Sequence, residues 1–525
     1  MTNWPQSDWL AARTAASPDA LAVIDADATD AGETARWSYA DLDAATDAVA
    51  RSLAARGVGP GDHVGTLLDT GLPFVLIVHA VDRLGAVLVP LNVRHTSEEL
   101  ARACEKADVT TILCDADAES SAGAAAEIAE EPPAVVSIDA DGFHDSGEDS
   151  DGSDEDDNDG DGRPLPSVER SPADVRVLLS TSGTTGEPKV VPLTAGNLLA
   201  SAVASAFRLG VLPDDRWLCC LPMYHMGGLA PVLRSTLYGT TVVLQSEFDA
   251  ERTPAVAREH EATGVSLVPT MLRRIVDSPA TLPDSLRFVL LGGAPADAEL
   301  IEACQRREIP VHPTFGMTET ASQVATATPS EAFEHEGTVG RPLVGTRVTV
   351  VDEAGDPVQA GERGELVVDG PTVTPGYYGD AAATEASFGP YGLLTGDVGY
   401  RDEGGRLWVL NRRDDRIVTG GENVDPGEVV AALREHPAIG DAAVLGVDDP
   451  EWGERVGAIV VPADDADGGA AATLGAEAVR EHCRERLAGY KLPRTVAFAD
   501  ELPRTASGTV DREAARALLD EKSDD

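Results

Sequence analysis

The chain has 525 residues, too many for one hydrophobic core, so two or more domains are expected. Hydrophobic residues make up 42% but aromatics only 4%, so the cores must be built largely from Val, Leu and Ala. With 90 acidic against 41 basic side chains the formal net charge is −49, which argues against nucleic acid as a partner because phosphate backbones need a basic face.

Lysine is confined to Lys106, Lys189, Lys491 and Lys522; arginine supplies the remaining positive charge. Self-repulsion of this size strains a compact fold at ordinary salt. At molar salt the Debye length falls to about 3 Å and screens it, so a cytoplasmic protein of a salt-accumulating halophile is expected. The six cysteines form no C-x-x-C pair and read as buried free thiols of a reducing compartment. The N-terminus has no basic region followed by an apolar run, so no signal peptide is expected. The most apolar stretch, 74–93, is broken by His79, Asp82 and Arg83 and is too polar to span a membrane. Oligomeric state leaves no signal.

In chain order, Ser38-Tyr39-Ala40-Asp41 forms a capping-box pattern. Leu42, Ala45, Val49 and Leu53 then follow at helical spacing, and Gly57 stops the helix. Val64–Leu68 reads as a strand, Phe74–Leu84 as a helix and Ala86–Leu91 as the next strand. This alternation continues to about residue 310 and predicts an α/β core of doubly wound, mostly parallel sheets. Residues 139–163 interrupt it with an acidic, nearly non-apolar insert expected to be disordered. From about 340 to 410, short β-rich runs (Arg347–Val351, Glu365–Val368, Leu407–Leu410) predict a small barrel-like subdomain. A charged hinge at 411–415 then separates the large domain, 1–410, from a small, mobile α+β domain, 416–525. That domain has a helix at Glu428–Leu433, strands at Asp441–Val447 and Val456–Val461, and a helix at Ala476–Leu487.

Residues 181–189 read Thr181-Ser182-Gly183-Thr184-Thr185-Gly186-Glu187-Pro188-Lys189. Hydroxyls, flexible backbone and a terminal lysine suit phosphate oxygens. The strand signal Val175–Leu179 puts the loop at a strand end, where open α/β sheets bind nucleotides. It is not a Walker A loop, because only two residues separate Gly186 from Lys189.

This string resembles the phosphate loop of the acyl-adenylate-forming, or AMP-binding, enzymes. Phe315-Gly316-Met317-Thr318-Glu319-Thr320 is similar to their second signature. There the aromatic packs on adenine, the Thr (here Thr318) contacts phosphate and the Glu (here Glu319) helps hold Mg²⁺, a hard ion that takes oxygen ligands. Thr395-Gly396-Asp397 resembles the third signature, in which Asp397 would accept from the ribose hydroxyls. Arg412 corresponds to a ribose or phosphate contact, and Asp414 to the hinge. Gly420–Pro426 resembles the loop brought in for thioester formation. The resemblance implies ATP and Mg²⁺ as cofactors, coenzyme A as co-substrate and a small carboxylic acid as substrate. It implies nucleotide binding at Gly292, Gly293, Ala294, Phe315 and Gly316 as well. Within the family, Ser322-Gln323, Leu290–Pro295, Pro222–Leu229 and Val268–Leu272 look like the o-succinylbenzoate–CoA ligases of menaquinone biosynthesis. That implies an acyl pocket lined by His225, Thr270, Gly292, Gly293 and Ser322, with Gly227 and Gly228 permitting close approach of a ligand.

One position departs from the family. Its C-terminal Pro-Arg-x-x-x-Gly-Lys appears here as Pro503-Arg504-Thr505-Ala506-Ser507-Gly508-Thr509, so Thr509 stands where the catalytic lysine is expected. Arg504 or Arg512 could substitute, high intracellular cation could screen the phosphates, or the chain could be a non-catalytic nucleotide- or acyl-binding relative. Lys491, in a structural Tyr-Lys-x-Pro, is not a replacement. The remaining enzymatic alternative is a medium-chain or aryl acyl-CoA synthetase.

Overall fold

The computed structural model describes residues 8–30, 33–139, 165, 168, 171–181, 189–412, 417–419, 422–424, 426–449, 452–463, 474–484, 486–487, 489–505 and 509–521. Most of the acidic insert and the centre of the phosphate loop lie outside the described residues. The chain folds as two compact units. The first takes in 1–292, 296–348 and 368–393, and the second 293–295, 349–367 and 394–525.

The first unit is α/β with two wound sheets, as the alternating pattern predicts. In one, Ala134–Ser137, Thr111–Cys114, His63–Leu67, Val87–Pro90 and Val175–Thr181 are successive parallel neighbours, and Lys189–Thr194 closes the edge antiparallel. In the other, Leu21–Asp30, Thr241–Leu244, Arg216–Cys219, Gly264–Leu267, Phe288–Leu291 and Val311–Met317 run parallel in that order. These strands are short, Val/Leu-rich and almost wholly buried, as parallel strands covered by helices must be. The capping box forms as read: Ser38 and Asp41 bond reciprocally, and helix Tyr39–Ala55 buries Leu42, Val49 and Leu53. The other early elements fall at His63–Leu67, Leu72–Arg83 and Val87–Pro90, within two residues of expectation.

Arg347–Val351, Arg363–Asp369, Gly392–Arg401 and Leu407–Arg412, most of whose residues belong to the second unit, are consecutive neighbours in a sheet. Beyond them, Ile439–Asp449 and Gly453–Pro462 make a long antiparallel pair, joined by the parallel strand Thr495–Phe498. Helices Pro426–Arg434, Ala476–Arg484 and Arg512–Glu521 contribute Val429, Leu433, Val479, Cys483, Ala515 and Leu519 to its two apolar clusters. All six cysteines are buried free thiols. Among the described residues no helix is long and apolar enough to cross a membrane.

Candidate active site

Thr181 and Lys189 face each other across an antiparallel hairpin, Val175–Thr181 against Lys189–Thr194, with the Thr181 hydroxyl donating to the Lys189 carbonyl at 3.4 Å. The loop begins at a strand end, as expected, and a second strand follows it. The loop's backbone is therefore held at both ends by one ladder. Ser182, Gly183, Thr184, Thr185 and Gly186 lie outside the described residues.

The second signature is a tight reversal. Strand Val311–Met317 leads into a single 3-10 turn, Thr318–Thr320, and the chain returns as Ser322–Thr326. A bulge at Phe315/Gly316 sits in this pairing, and a Cβ on Gly316 would lie 1.7 Å from the Ser322 carbonyl oxygen. Only glycine fits there. The reversal is strained: Ala321 has φ +52° and Ser322 φ +112°, a region L-residues rarely adopt. Ser201 holds it by donating to the Ala321 carbonyl at 2.6 Å, and Thr320 caps the turn on Met317. The product is a buried carboxylate: Glu319 is 8% exposed, and its Oε1 accepts from the Tyr377 hydroxyl at 3.0 Å.

The remaining residues of the first unit are gathered by topology. Four adjacent parallel strands end, in spatial order, at Cys219, Leu267, Leu291 and Met317. Just past the first three come His225, Thr270 and Gly292; Phe315 and Gly316 lie in the last turn of the fourth. This is the carboxyl edge of a wound sheet, where ligands bind. A Cβ on Gly292 would lie 2.7 Å from Cγ2 of Thr314, so the backbone there packs tightly on the neighbouring strand. His225 precedes helix Met226–Tyr238, and Thr270 lies in the first turn of helix Pro269–Asp277. Neither side chain hydrogen-bonds to another described residue. Burial depresses the His225 pKa, with His95 and Arg94 adding to the effect, so at neutral pH the ring is neutral, one nitrogen donating and one accepting.

One expectation about this pocket is corrected. Gly228 serves the protein's own packing, not a ligand: its Cβ would lie 2.4 Å from the carbonyl oxygens of both Leu221 and Pro222. Gly227 is exposed, and its Cβ would meet Cδ1 of Leu221 at 3.0 Å.

Two side chains escaped sequence reasoning. Arg234, on helix Met226–Tyr238, is 2% exposed and donates to Gln323 Oε1 at 3.0 Å and Ser201 Oγ at 2.9 Å. Among the described residues it is in no ion pair, so a desolvated cation sits among neutral partners, one of them the residue that follows Ser322 in sequence. The signal available in sequence was a lone arginine within an otherwise apolar helix. Tyr377 is the other. Its ring centre lies 4.5 Å from Nζ of Lys189, while its hydroxyl reaches Glu319.

In the second unit, Asp397 and Arg412 are register partners on neighbouring strands, with Nε of Arg412 3.3 Å from Oδ1 of Asp397. Thr395 ties the turn by donating to the Leu366 carbonyl at 2.7 Å and accepting from Asp397 N–H at 3.0 Å, leaving Asp397 7% exposed. Gly293, with φ +84°, makes the bend before Ala294. Thr509 shares a hydroxyl–hydroxyl hydrogen bond of 2.7 Å with Thr505. Arg504 is engaged with Asp441 at 2.6 Å, a carboxylate that also takes Arg434. Lys491 is paired with both Glu428 oxygens at 2.7 and 2.6 Å, consistent with a structural role.

A lysine-ended hairpin at the edge of one wound sheet, and a buried carboxylate with neutral polar groups at the carboxyl edge of the other, suit an enzyme that binds a nucleotide and activates an acid. The chain belongs to the AMP-binding enzyme family, whose model matches residues 10–378; the AMP-binding enzyme C-terminal domain matches residues 428–509. It is 37% identical to the 2-succinylbenzoate–CoA ligase of Bacillus licheniformis, over 96% of this chain and 98% of that one. It is 38% identical to the enzyme of the same name from Geobacillus kaustophilus, over 99% of each chain. The solved structure of o-succinylbenzoate CoA synthetase from Bacillus subtilis with the acyl-adenylate intermediate superposes with a TM-score of 0.84 at 34% identity, covering 97% of this chain and 98% of that one. The same enzyme with ATP and magnesium ion gives 0.84 over 98% and 99%.

Proposed function

We infer that this chain is an ATP-dependent, AMP-forming acid–CoA ligase converting o-succinylbenzoate to o-succinylbenzoyl-CoA, a cytoplasmic step of menaquinone biosynthesis. The observation that carries the reading is similarity over nearly the whole chain to ligases of that name; a buried arginine with no carboxylate partner among the described residues, bonded to the residue next to Ser322, supports it. The substrate has two carboxylates, and the one that does not react needs a positive or donor-rich surrounding.

In the first step a carboxylate oxygen attacks the α-phosphorus of ATP. The phosphorus–oxygen bond to pyrophosphate breaks, leaving acyl-AMP. In the second, the CoA thiolate attacks the acyl carbon and AMP leaves with the carbon–oxygen bond pair. Such a reaction is catalysed by positioning and by compensating charge on phosphate. Lys189 supplies a cation at the end of the phosphate hairpin. Glu319 fits a Mg²⁺ site, with the Thr318 hydroxyl assigned to phosphate: the carboxylate is in no ion pair among the described residues, and it retains acceptor capacity beyond its bond from Tyr377. Mg²⁺ held there would supply Lewis-acid neutralisation of the phosphates. Phe315 packs on adenine, Gly316, Gly292, Gly293 and Ala294 are further nucleotide contacts, Asp397 accepts from the ribose, and Arg412 meets ribose or phosphate. His225, Thr270 and Ser322 meet the acyl group. The surface charge of −49 is read as an adaptation to salt, so the thermal midpoint should rise in molar KCl.

The test is AMP release in molar KCl with CoA and a panel of acids. Turnover of o-succinylbenzoate is expected. Turnover of octanoate or benzoate with none of o-succinylbenzoate would overturn the substrate assignment.

A further inference from the structure

Lys189 and Glu319 carry opposite charges and both reach Tyr377, at 4.5 Å to the ring centre and 3.0 Å to the hydroxyl. Neither is in an ion pair among the described residues. A lysine stem is flexible, and an ammonium beside a buried carboxylate gains by closing onto it. In the proposed reaction that closure would be unproductive. It would cancel the cation meant for phosphate and the carboxylate meant for metal. The ring fills the gap, holding the ammonium against its π face and the carboxylate at its hydroxyl end.

The ring is itself anchored to the two elements it separates. Thr374 N–H donates to the Glu319 carbonyl at 2.7 Å, and the Thr374 hydroxyl to the Pro192 carbonyl at 2.7 Å. Tyr378 N–H donates to the Val190 carbonyl at 2.8 Å, and Tyr377 N–H to Thr384 Oγ1 at 2.8 Å. The strap 374–378 is therefore stitched to the strand that carries Lys189 and to the turn that carries Glu319. Displacement of either carries the ring along.

We propose that Tyr377 is a positioning residue, a spacer that prevents a Lys189–Glu319 ion pair and keeps both charges available to nucleotide. This rests on the functional reading above, and its test separates the two. ATP affinity is measured by calorimetry without divalent metal, in the KCl concentration at which the protein is folded. Wild type is expected to bind and Lys189→Ala to bind more weakly; if wild type does not bind ATP, the ligase reading fails. Tyr377→Ala should weaken binding about tenfold, or about 1.4 kcal/mol. Glu319→Gln should strengthen metal-free binding about tenfold more in the Tyr377→Ala background than in wild type, because only there is a collapsed pair to release. Tyr377→Phe keeps the ring and should behave as wild type in the same cycle. Tyr377→Val replaces Tyr377→Ala if the latter does not fold. If wild type binds ATP but the two substitutions are additive, the spacer role is wrong. A purely structural role would lower affinity with no rescue by Glu319→Gln.

Discussion

Substituting Arg234 by methionine, similar in length and uncharged, separates binding from folding. In the structure this guanidinium has two neutral acceptors, Gln323 Oε1 at 3.0 Å and Ser201 Oγ at 2.9 Å, and almost no water. Losing those bonds costs about 1–3 kcal/mol for each acceptor left unsatisfied. Removing a buried cation that lacks a counter-ion returns a comparable amount. The net change in stability should therefore stay within about 2 kcal/mol. Substrate binding should respond differently. For an assumed separation of about 8 Å between this cation and the second carboxylate, and an effective dielectric of about 20, the attraction is about 2 kcal/mol, or roughly 30-fold in affinity. Arg234→Met should then raise KM for o-succinylbenzoate roughly 30-fold while leaving KM for ATP unchanged, and a monocarboxylic aromatic acid should be almost unaffected. ATP–pyrophosphate exchange measured across both acids, with a melting curve, reads all three quantities. A folded variant whose KM for the dicarboxylate stays within about threefold of wild type would refute the argument that this charge selects the substrate.

Gly316→Ala should abolish pyrophosphate exchange and destabilise the fold by more than about 2 kcal/mol, because its Cβ would fall 1.7 Å from the Ser322 carbonyl oxygen; a melting curve and an exchange assay check both. Burial, aided by neighbouring arginines, depresses the pKa of His79 and of His312 to about 4 from 6.5. The unfolded chain therefore protonates first, so their contribution to stability is complete above about pH 6.5 and is lost as pH falls towards about 4, by on the order of 3 kcal/mol each. Urea titrations across that window should flatten in His312→Gln. Thr509→Lys should raise pyrophosphate exchange by tenfold or more, because Arg504 is tied to Asp441 and Thr509 brings no charge. Arg504→Ala should lower exchange by less than threefold; a large loss would show that Arg504 leaves Asp441 to serve the phosphates.

The parts of the fold legible in sequence are those with strong period or punctuation. The capping box at Ser38, the Val/Leu runs and the glycine stops appear where read because local chemistry and tertiary burial favour the same conformation there. The signatures around Glu319 and Asp397 were legible as strings, yet their strain was not. Nothing local in Ala321-Ser322 demands positive φ; the Gly316 contact and the Ser201 bond impose it. Arg234 was passed over because an arginine on a helix ordinarily faces water, and here its bonds to Gln323 and Ser201 hold it inside. Tyr377 lies in a strap of turn residues with no period, whose meaning comes from two strands distant in sequence. Gly228 shows the reverse error: a glycine beside a candidate ligand residue read as a gap for substrate, when the chain itself fills the space.

The buried cysteines make the molecule convenient to label. Burial raises the thiol pKa to about 12 in Cys104, Cys219 and Cys304 and to about 11 in Cys114, and raises Cys220 and Cys483 too. At pH 8 roughly one in a thousand or fewer of the Cys104, Cys114, Cys219 and Cys304 thiols is ionised, and none of the six cysteines is exposed to reagent. The native chain should therefore be silent to maleimide dyes without any cysteine being removed. A single Thr509→Cys substitution would carry the only reactive sulfur, and a fluorophore there would report on the C-terminal segment as ATP, acid and CoA are added in turn.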